Sequence, residues 1–575
     1  MSTPSEPNLS LRGHLLSSLS SLPNAHRLSL TILISEPKRT SSLFPHTPHP
    51  PKCLQQEYLV VLSSDLACQS DSDSTRQSDD EANKSTLTED MLVAVEAGSS
   101  KSTPKSAPRV LVSAISAYLY TFPNSTATAT STSQPTHNTP ILYISKIDSS
   151  GYTPQPLPFT RHLIRSFLSY FVTSLPSVRV QLFARSQRQY LFANSADGPL
   201  KKVLGGAGLC KWWKGVYEDV CVEVTTRLTS KDKSTSTAIP NGDEGKVQTD
   251  SQTRDENIPL EVKYLLPGYD EVEAENMLGT GRPLPQGLEW RYEPPFGESS
   301  LSTTTASTSP SSLQSLPPSL ATLIPSLPDD PKTRFLEELV MDASANAHPH
   351  TSVVEPDTSK RTDSSEDRAG AANADSIEQS TTLAMAKVKT RKTKEAAEDG
   401  SLRRAAHVTL SRVSSSEFWE RMGFRQECAS GDVTGFFTLE RSKSGQVTQV
   451  EKEDDPALGT IRDPSLRSAA ARTTKAPQIR QEITDRILTA LTNIDFATLP
   501  LAKEGTEIWI RQVRSLVGGE IGPEGWEQCT ASIDAKDEDV LKQMTGGGLR
   551  RKQREEVVTM LQPRKKKKAV VARAG

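Results

Sequence analysis

The 575-residue chain reads as a mixed α/β fold interrupted by long disordered insertions, and three observations carry that reading. Short runs of β-branched or alternating apolar residues mark strands. Other segments repeat apolar residues at helical spacing, and stretches rich in Ser, Thr, Pro and charge cut the chain into islands. Strands are expected at 28–34, 58–62, 110–122, 141–145 and 178–183, able to join in one sheet. Segment 161–172 sets Leu163, Ile164, Phe167, Leu168 and Phe171 on one helical face, and 209–220 does the same with Leu209, Trp212, Trp213, Val216 and Val220. These helices are expected to cover the sheet. Later islands at 414–423, 433–439, 478–493 and 506–517 read as mostly helical, so the core is assembled from pieces distant in sequence.

Between the islands, 69–107 is Ser/Asp-rich, 123–140 Ser/Thr-rich, 230–257 polar and charged, 299–318 Ser/Pro/Thr-rich, and 343–401 is the longest low-complexity run. Loops of this length are poor loops in a compact domain. Closure entropy grows only logarithmically, however, so they read as insertions hanging from a folded core rather than as domain boundaries. The folded islands are then about 1–65, 108–229, 258–298, 319–342, 402–440 and 478–530.

Composition narrows the class. With 35% hydrophobic residues, 5% aromatics and 39 prolines, a good part of the chain cannot bury enough apolar surface to fold. The net charge of -3 hides a basic tail at 549–575, whose runs Arg550-Arg551-Lys552 and Arg564-Lys565-Lys566-Lys567-Lys568 suit nuclear import. The six cysteines have no CxxC spacing and the nine histidines form no cluster, which supports neither zinc nor a disulfide framework. Without an apolar signal core or spanning stretch, the expectation is a soluble, reduced protein of the nucleus or cytosol.

Three segments stand out chemically. Pro328-Asp329-Asp330-Pro331-Lys332-Thr333-Arg334-Phe335 packs two carboxylates and two cations between prolines. Pro331 drives Asp330 toward an extended shape, so its carboxylate can be aimed; the segment equally reads as a helix start with Asp as N-cap and Pro at N1. Ser145-Lys146-Ile147-Asp148-Ser149-Ser150-Gly151-Tyr152 reads as a strand end entering a polar turn, where Asp148 either meets a ligand or makes an Asx turn. Arg161, at the next helix start, could meet a phosphate. Gln189-Tyr190-Leu191-Phe192 is followed by Lys201-Lys202, a loop at 205–208, and Lys211-Trp212-Trp213. Adjacent helical positions point about 100° apart, so one indole can enter the core while the other lines a groove. The glycine loop matches neither the Walker pattern nor GxGxxG, which disfavours nucleotide hydrolysis and dinucleotide binding.

In this order the motifs, with Ser416-Glu417-Phe418-Trp419 and Met560-Leu561-Gln562-Pro563-Arg564-Lys565-Lys566, resemble the fungal histone H3 lysine acetyltransferase family named for regulation of Ty transposition, a fold relative of the CBP-type acetyltransferases. The resemblance implies one discontinuous α/β domain with a central mixed sheet flanked by helices. It also implies acetyl transfer from acetyl-CoA to histone H3, mainly at position 56 and also at tail lysines such as positions 9 and 27, in nucleosome assembly and the DNA damage response. Histone chaperones of the Asf and Vps (nucleosome-assembly-protein-like) types are the implied partners, with neither membrane nor DNA contact required and no metal. By motif, Asp330 stands at the active-site carboxylate, Trp213, Tyr190 and Asp148 stand around the acceptor lysine, and Lys332 stands at an autoacetylated position. The cofactor side is implied at Ile147, Asp148, Ser149, Leu157, Pro158, Phe159, Thr160, Arg161, Phe183, Gln187, Val203, Leu204, Gly205 and Trp212. Composition alone favours a rival, a catalytically silent chromatin or histone-binding adaptor. It would have no reason to bind acetyl-CoA.

Overall fold

A computed structural model describes residues 10–23, 26–66, 108–123, 139–153, 157–235, 260–296, 319–347, 400–429, 431–442 and 477–535. Nearly all of the expected insertions, and the whole basic tail, lie outside them. Within them, eleven strands make one mixed sheet: β1 (His26–Ser35), β2 (Lys38–Thr40), β3 (Cys53–Asp65), β4 (Arg109–Thr121), β5 (Ile141–Ser149), β6 (Val178–Arg185), β7 (Leu260–Leu265), β8 (Trp290–Tyr292), β9 (Thr434–Arg441), β10 (Gln478–Ile479) and β11 (Thr530–Ala535). Their order is β10-β1-β3-β4-β5-β6-β9-β7-β8, with β11 beside β1 and β2 beside β3. The helices are α1 (Leu11–Ser20), α2 (Phe159–Ser174), α3 (Gly206–Thr235), α4 (Glu271–Leu278), α5 (Leu320–Leu323), α6 (Pro331–Ala347), α7 (Ser415–Gly423), α8 (Gln426–Ala429), α9 (Gln481–Thr492) and α10 (Leu499–Cys529).

All five expected strands and both expected core helices are present, the helices extended at their ends. One expectation needs correction. Segment 433–439, grouped with mostly helical islands, forms β9, paired antiparallel with β6 on one side and β7 on the other. Thr434, Phe436, Phe437 and Thr438 suit a pleated, doubly covered surface, and pairing on both sides outweighs a short, ambiguous pattern. Residues 478–479 likewise pair with β1 before α9 begins.

The antiparallel run β1-β3-β4-β5 is joined to the rest by the parallel pair β5·β6, whose crossover is α2. One face of the sheet packs against α2 and α3: Tyr58 meets Phe167 and Phe171, and Phe437 meets Tyr217. The other face is shared. Leu111 of β4 donates its amide to Thr506 of α10, while Phe436 meets Lys332 of α6 and Trp419 of α7.

A buried polar row crosses this second face, pairing Glu57 with Tyr118, Tyr118 with Tyr143, Tyr143 with Gln181, and Gln181 with Thr438. Gln181 Nε2 donates to Thr438 Oγ1 at 3.0 Å, so the middle of the row satisfies itself. Glu57 at its end lies against α9, where Gln481 Nε2 donates to Oε1 at 2.6 Å. Burial, with Asp485 nearby, pushes the Glu57 carboxyl up from 4.5 to about 7.

The raised folded-state value means that this group favours folding below pH 4.5 and that the contribution is lost as pH rises through about 7. Glu57→Gln is therefore expected to flatten the decline and to stabilise the protein near neutral to mildly alkaline pH by up to about 3 kcal/mol. Urea unfolding of both proteins across that range tests this, and parallel pH profiles would contradict it.

Candidate active site

β5 carries the first half of the site. A register shift opposite Ser116 and Ala117 lets the strand continue to Asp148, which is 6% exposed at its end. Its Oδ2 accepts the consecutive amides of Tyr190, Leu191 and Phe192 at 2.8, 2.9 and 3.1 Å. Its Oδ1 accepts Ser149 N at 2.8 Å and the Lys201 ammonium at 2.7 Å, and Lys201 also donates to Ser195 Oγ at 2.8 Å. The Asx turn open from sequence is not formed, because the amide two residues on, Ser150 N, donates to Val112 O; the carboxylate instead organises the loop between β6 and α3. Gly151, at φ +86°, is required where the turn passes this loop, because a Cβ there would lie 2.7 Å from Lys201 N.

The loop brings the second motif to the first. Tyr190 is half-buried and its hydroxyl donates to Arg185 O, while burial and then the Asp148 charge push its pKa up to about 12. It is a neutral phenol at physiological pH. Ser186 Oγ donates to Leu204 O at 2.6 Å, closing the loop before α3. Gly206 N, the first amide of α3, donates to Asp432 Oδ1 at 2.7 Å, and a Cβ at Gly206 would meet Val433 O at 2.0 Å, so the start of α3 is sealed against β9. On α3, Trp213 is 2% exposed and Trp212 half-buried, their rings at 81° and 5.0 Å apart. One indole is core and the other is only half-buried.

Around that loop, Ile147, Ser149, Leu157, Thr160 and Leu204 are half-buried, and Pro158, Gln187, Val203 and Gly205 are exposed. The start of α2 has no side-chain cap. Phe159 instead is core, edge-on to His26. Arg161 does not face open solvent as a free phosphate ligand: it pairs with Asp219 of α3 at 2.8 Å and packs against Gly215. Asp219 in turn holds Arg282 at 2.6 Å, and its neighbour Glu218 takes Lys214 at 2.7 Å and Arg282 N at 2.8 Å.

The third motif turns into α6. Asp329 adopts φ +57°, a conformation Asp tolerates, and pairs with Lys146 at 3.0 Å, which ties this turn to the strand carrying Asp148. Asp330 caps the helix, Oδ1 accepting Lys332 N at 2.9 Å, with Pro331 as first helical residue. The helix-start reading of this segment holds. Asp330 and Lys332 are each 1% exposed and joined at 2.5 Å, and the Lys332 ammonium lies 4.5 Å from the Phe436 ring centroid. Phe183 stacks on the same Phe436 at 4.7 Å. Burial pulls the Lys332 pKa down, opposed by the Asp330 charge.

The three motifs thus meet around β5 and β9, but not all in one contact. Phe436 and Phe437 point to opposite faces, so Asp330 and Lys332 lie on the α6 side while Tyr217 and Trp213 lie on the α3 side. Among the described residues, no hydrogen bond or ion pair joins Asp330 to Trp213, Tyr190 or Asp148. Residues that sequence reasoning left out include Ser195, Asp432, Phe436 and Asp219. Asp432 lies 226 positions from the amide it caps, and no local pattern announces such a partner. Cys210, the cysteine nearest the motifs, is buried and its thiol is pushed up to about 12, an inert state.

Comparison with known proteins identifies the family and the fold. The histone acetyltransferase KAT11-type domain matches residues 160–512. The chain is 25% identical over 321 residues to histone acetyltransferase rtt109 of Aspergillus flavus, covering 54% of this chain and 43% of the relative. It is 24% identical over 315 residues to histone acetyltransferase rtt109 of Schizosaccharomyces pombe, covering 52% of each. The chain therefore spans about half the length of the curated relatives it matches. The crystal structure of Rtt109 from Aspergillus fumigatus shares the fold, with a TM-score of 0.52 at 19% identity over 91% of this chain and 99% of that one. With more than half of its length inside that domain, the chain belongs to the KAT11-type histone acetyltransferase family.

Proposed function

We propose that this protein is a nuclear lysine acetyltransferase that moves acetyl from acetyl-CoA to histone H3. Its principal target would be position 56, with tail positions 9 and 27 secondary, in concert with chaperones of the Asf and Vps types during nucleosome assembly and the DNA damage response. The observation that carries the reading is the 3.0 Å ion pair between Lys146 and Asp329, which links the Asp148 strand to the Asp330 turn in a chain of this family. The half-buried Ile147, Ser149, Leu204 and Trp212 support an apolar-sided channel for the coenzyme arm, and the uncapped α2 start supports a place for its anionic groups. A Cβ at Gly205 would have no neighbour within 4 Å, which fits close approach of a ligand to the backbone. Phe159 and Arg161 act by bracing α2 against β1 and α3.

The chemistry needs an uncharged amine. An ammonium with pKa near 10.4 cannot attack a thioester, so the acceptor loses one proton outward, its nitrogen bonds to the acetyl carbon, and as the C–S bond breaks a second proton from that nitrogen passes to the sulfur to give coenzyme A thiol. An apolar wall at Tyr190 favours the neutral amine, while Trp213, on the α3 side of the sheet from Asp330, acts by packing α3 rather than by touching the acceptor. Tyr190, a phenol with pKa about 12 whose proton is engaged by Arg185 O, offers an apolar ring rather than a base. Asp148, whose acceptor sites are taken, serves as a positioning residue. Asp330 orients the acceptor and passes its proton to water. Its present partner is Lys332, and acetylating Lys332 removes the charge that occupies it.

Acetyl-CoA is expected to raise the thermal unfolding temperature of the purified protein; no shift would favour the silent adaptor. Asp330→Asn should keep the fold while lowering transfer to H3 by about 100-fold, a typical worth for one proton-handling group, measured with labelled acetyl-CoA and chaperone present; undiminished transfer would remove Asp330 from the mechanism. Lys332→Arg, which keeps a charge but cannot take an acetyl group, should lose activity that Lys332→Gln partly retains. Equal activities would argue against modification of this residue.

A further inference from the structure

A cavity of about 380 Å³ lies between the sheet edge and α10, and none of its lining residues belongs to the site above. A sheet face covered by a helix is ordinarily paved with Val, Ile and Leu. Here the floor is hydroxylic: Ser29 faces Ser63 across one strand boundary and Ser532 across the other, with Thr31 beside Thr530 in the next row. The hydroxyls of Ser29, Thr31 and Ser532 have no hydrogen-bond partner among the described residues.

Three guanidinium groups line the same cavity. Arg12 is held by α10, its Nη2 donating to Thr530 O at 2.5 Å and Glu527 O at 3.3 Å, yet its Nε is buried with no partner. Arg109 leans on Asp65 at 2.7 Å, and Arg514 makes no ion pair among the described residues. Glu527 is the one carboxylate in the lining, and it is exposed. An orphaned guanidinium N–H is costly, and the hydroxyls of Ser29, Thr31 and the exposed Ser532 are open to a partner, so a ligand that supplies acceptors to the arginines and hydroxyls to the floor would meet both needs. The planar guanidinium fork matches phosphate oxygens, and the volume suits a ligand at the small end of the usual range.

We infer that this cavity binds a small phosphate ester of a polyhydroxylated ring, the phosphate on Arg12 and Arg514 and the ring over Ser29, Thr31 and Ser532. The reading does not depend on acetyl transfer. It is tested on the full chain with saturating coenzyme A present, so that any coenzyme site is filled, by calorimetric titration with ribose 5-phosphate, an inositol monophosphate and inorganic phosphate. One or both esters should bind saturably, whichever binds naming the ring, and phosphate alone should bind more weakly. Arg514→Gln, an exposed position, should weaken ester binding by about tenfold, the worth of one charge-assisted contact. Thr31→Val should weaken the esters but not phosphate. Failure of both esters to bind, equal affinity for phosphate alone, or affinity unchanged in Arg514→Gln with an intact melting transition would overturn the assignment.

Discussion

A carboxylate removed from water must be surrounded by donors or give up its charge, and Asp148 meets that demand with five. Three are consecutive amides, so the backbone from Tyr190 to Phe192 can run in only one direction past the end of β5. A fourth, Lys201, draws in the far end of the same loop. From this one group follow the position of Tyr190, the close passage of Gly151 and the path by which the chain reaches α3. Removing it would strand a buried ammonium and three amides together, a heavier loss than any one of those contacts suggests.

Asp330 solves the same problem differently. Its donors, an amide and an ammonium, both come from Lys332, so the pair is closed on itself and owes little to the rest of the molecule. Such a buried pair is weak evidence for stability, because desolvating two charges offsets much of their attraction. What it confers is a defined geometry, with the ammonium lying over the Phe436 ring. The two aspartates therefore divide the work, Asp148 organising a loop and Asp330 starting a helix.

The sheet is polar in two buried places, and the difference between them is instructive. The row from Tyr143 to Thr438 includes side chains that pair with one another, whereas the hydroxyls of Ser29, Thr31 and Ser532 near α10 face open volume. Polar groups that satisfy themselves specify the fold; those left facing space specify a ligand or water.

Much of the architecture was legible in the chain. Alternation gave the five early strands, helical spacing gave α2 and the start of α3, and the Asp-Pro step gave the cap of α6, because each is decided by residues a few positions apart. β9 was misread because seven residues do not separate a strand from a helix until partners occupy both edges. Arg161 looked free until Asp219, 58 positions on, came alongside.

Local periodicity and backbone sterics thus determined where strands and helices begin, and the order of motifs pointed to the family. Only the tertiary structure decided which donor meets which carboxylate, and that Phe436 and Phe437 part Lys332 from Tyr217. Burial and pairing are properties of chain segments brought together from hundreds of residues apart, and no stretch of sequence contains them on its own.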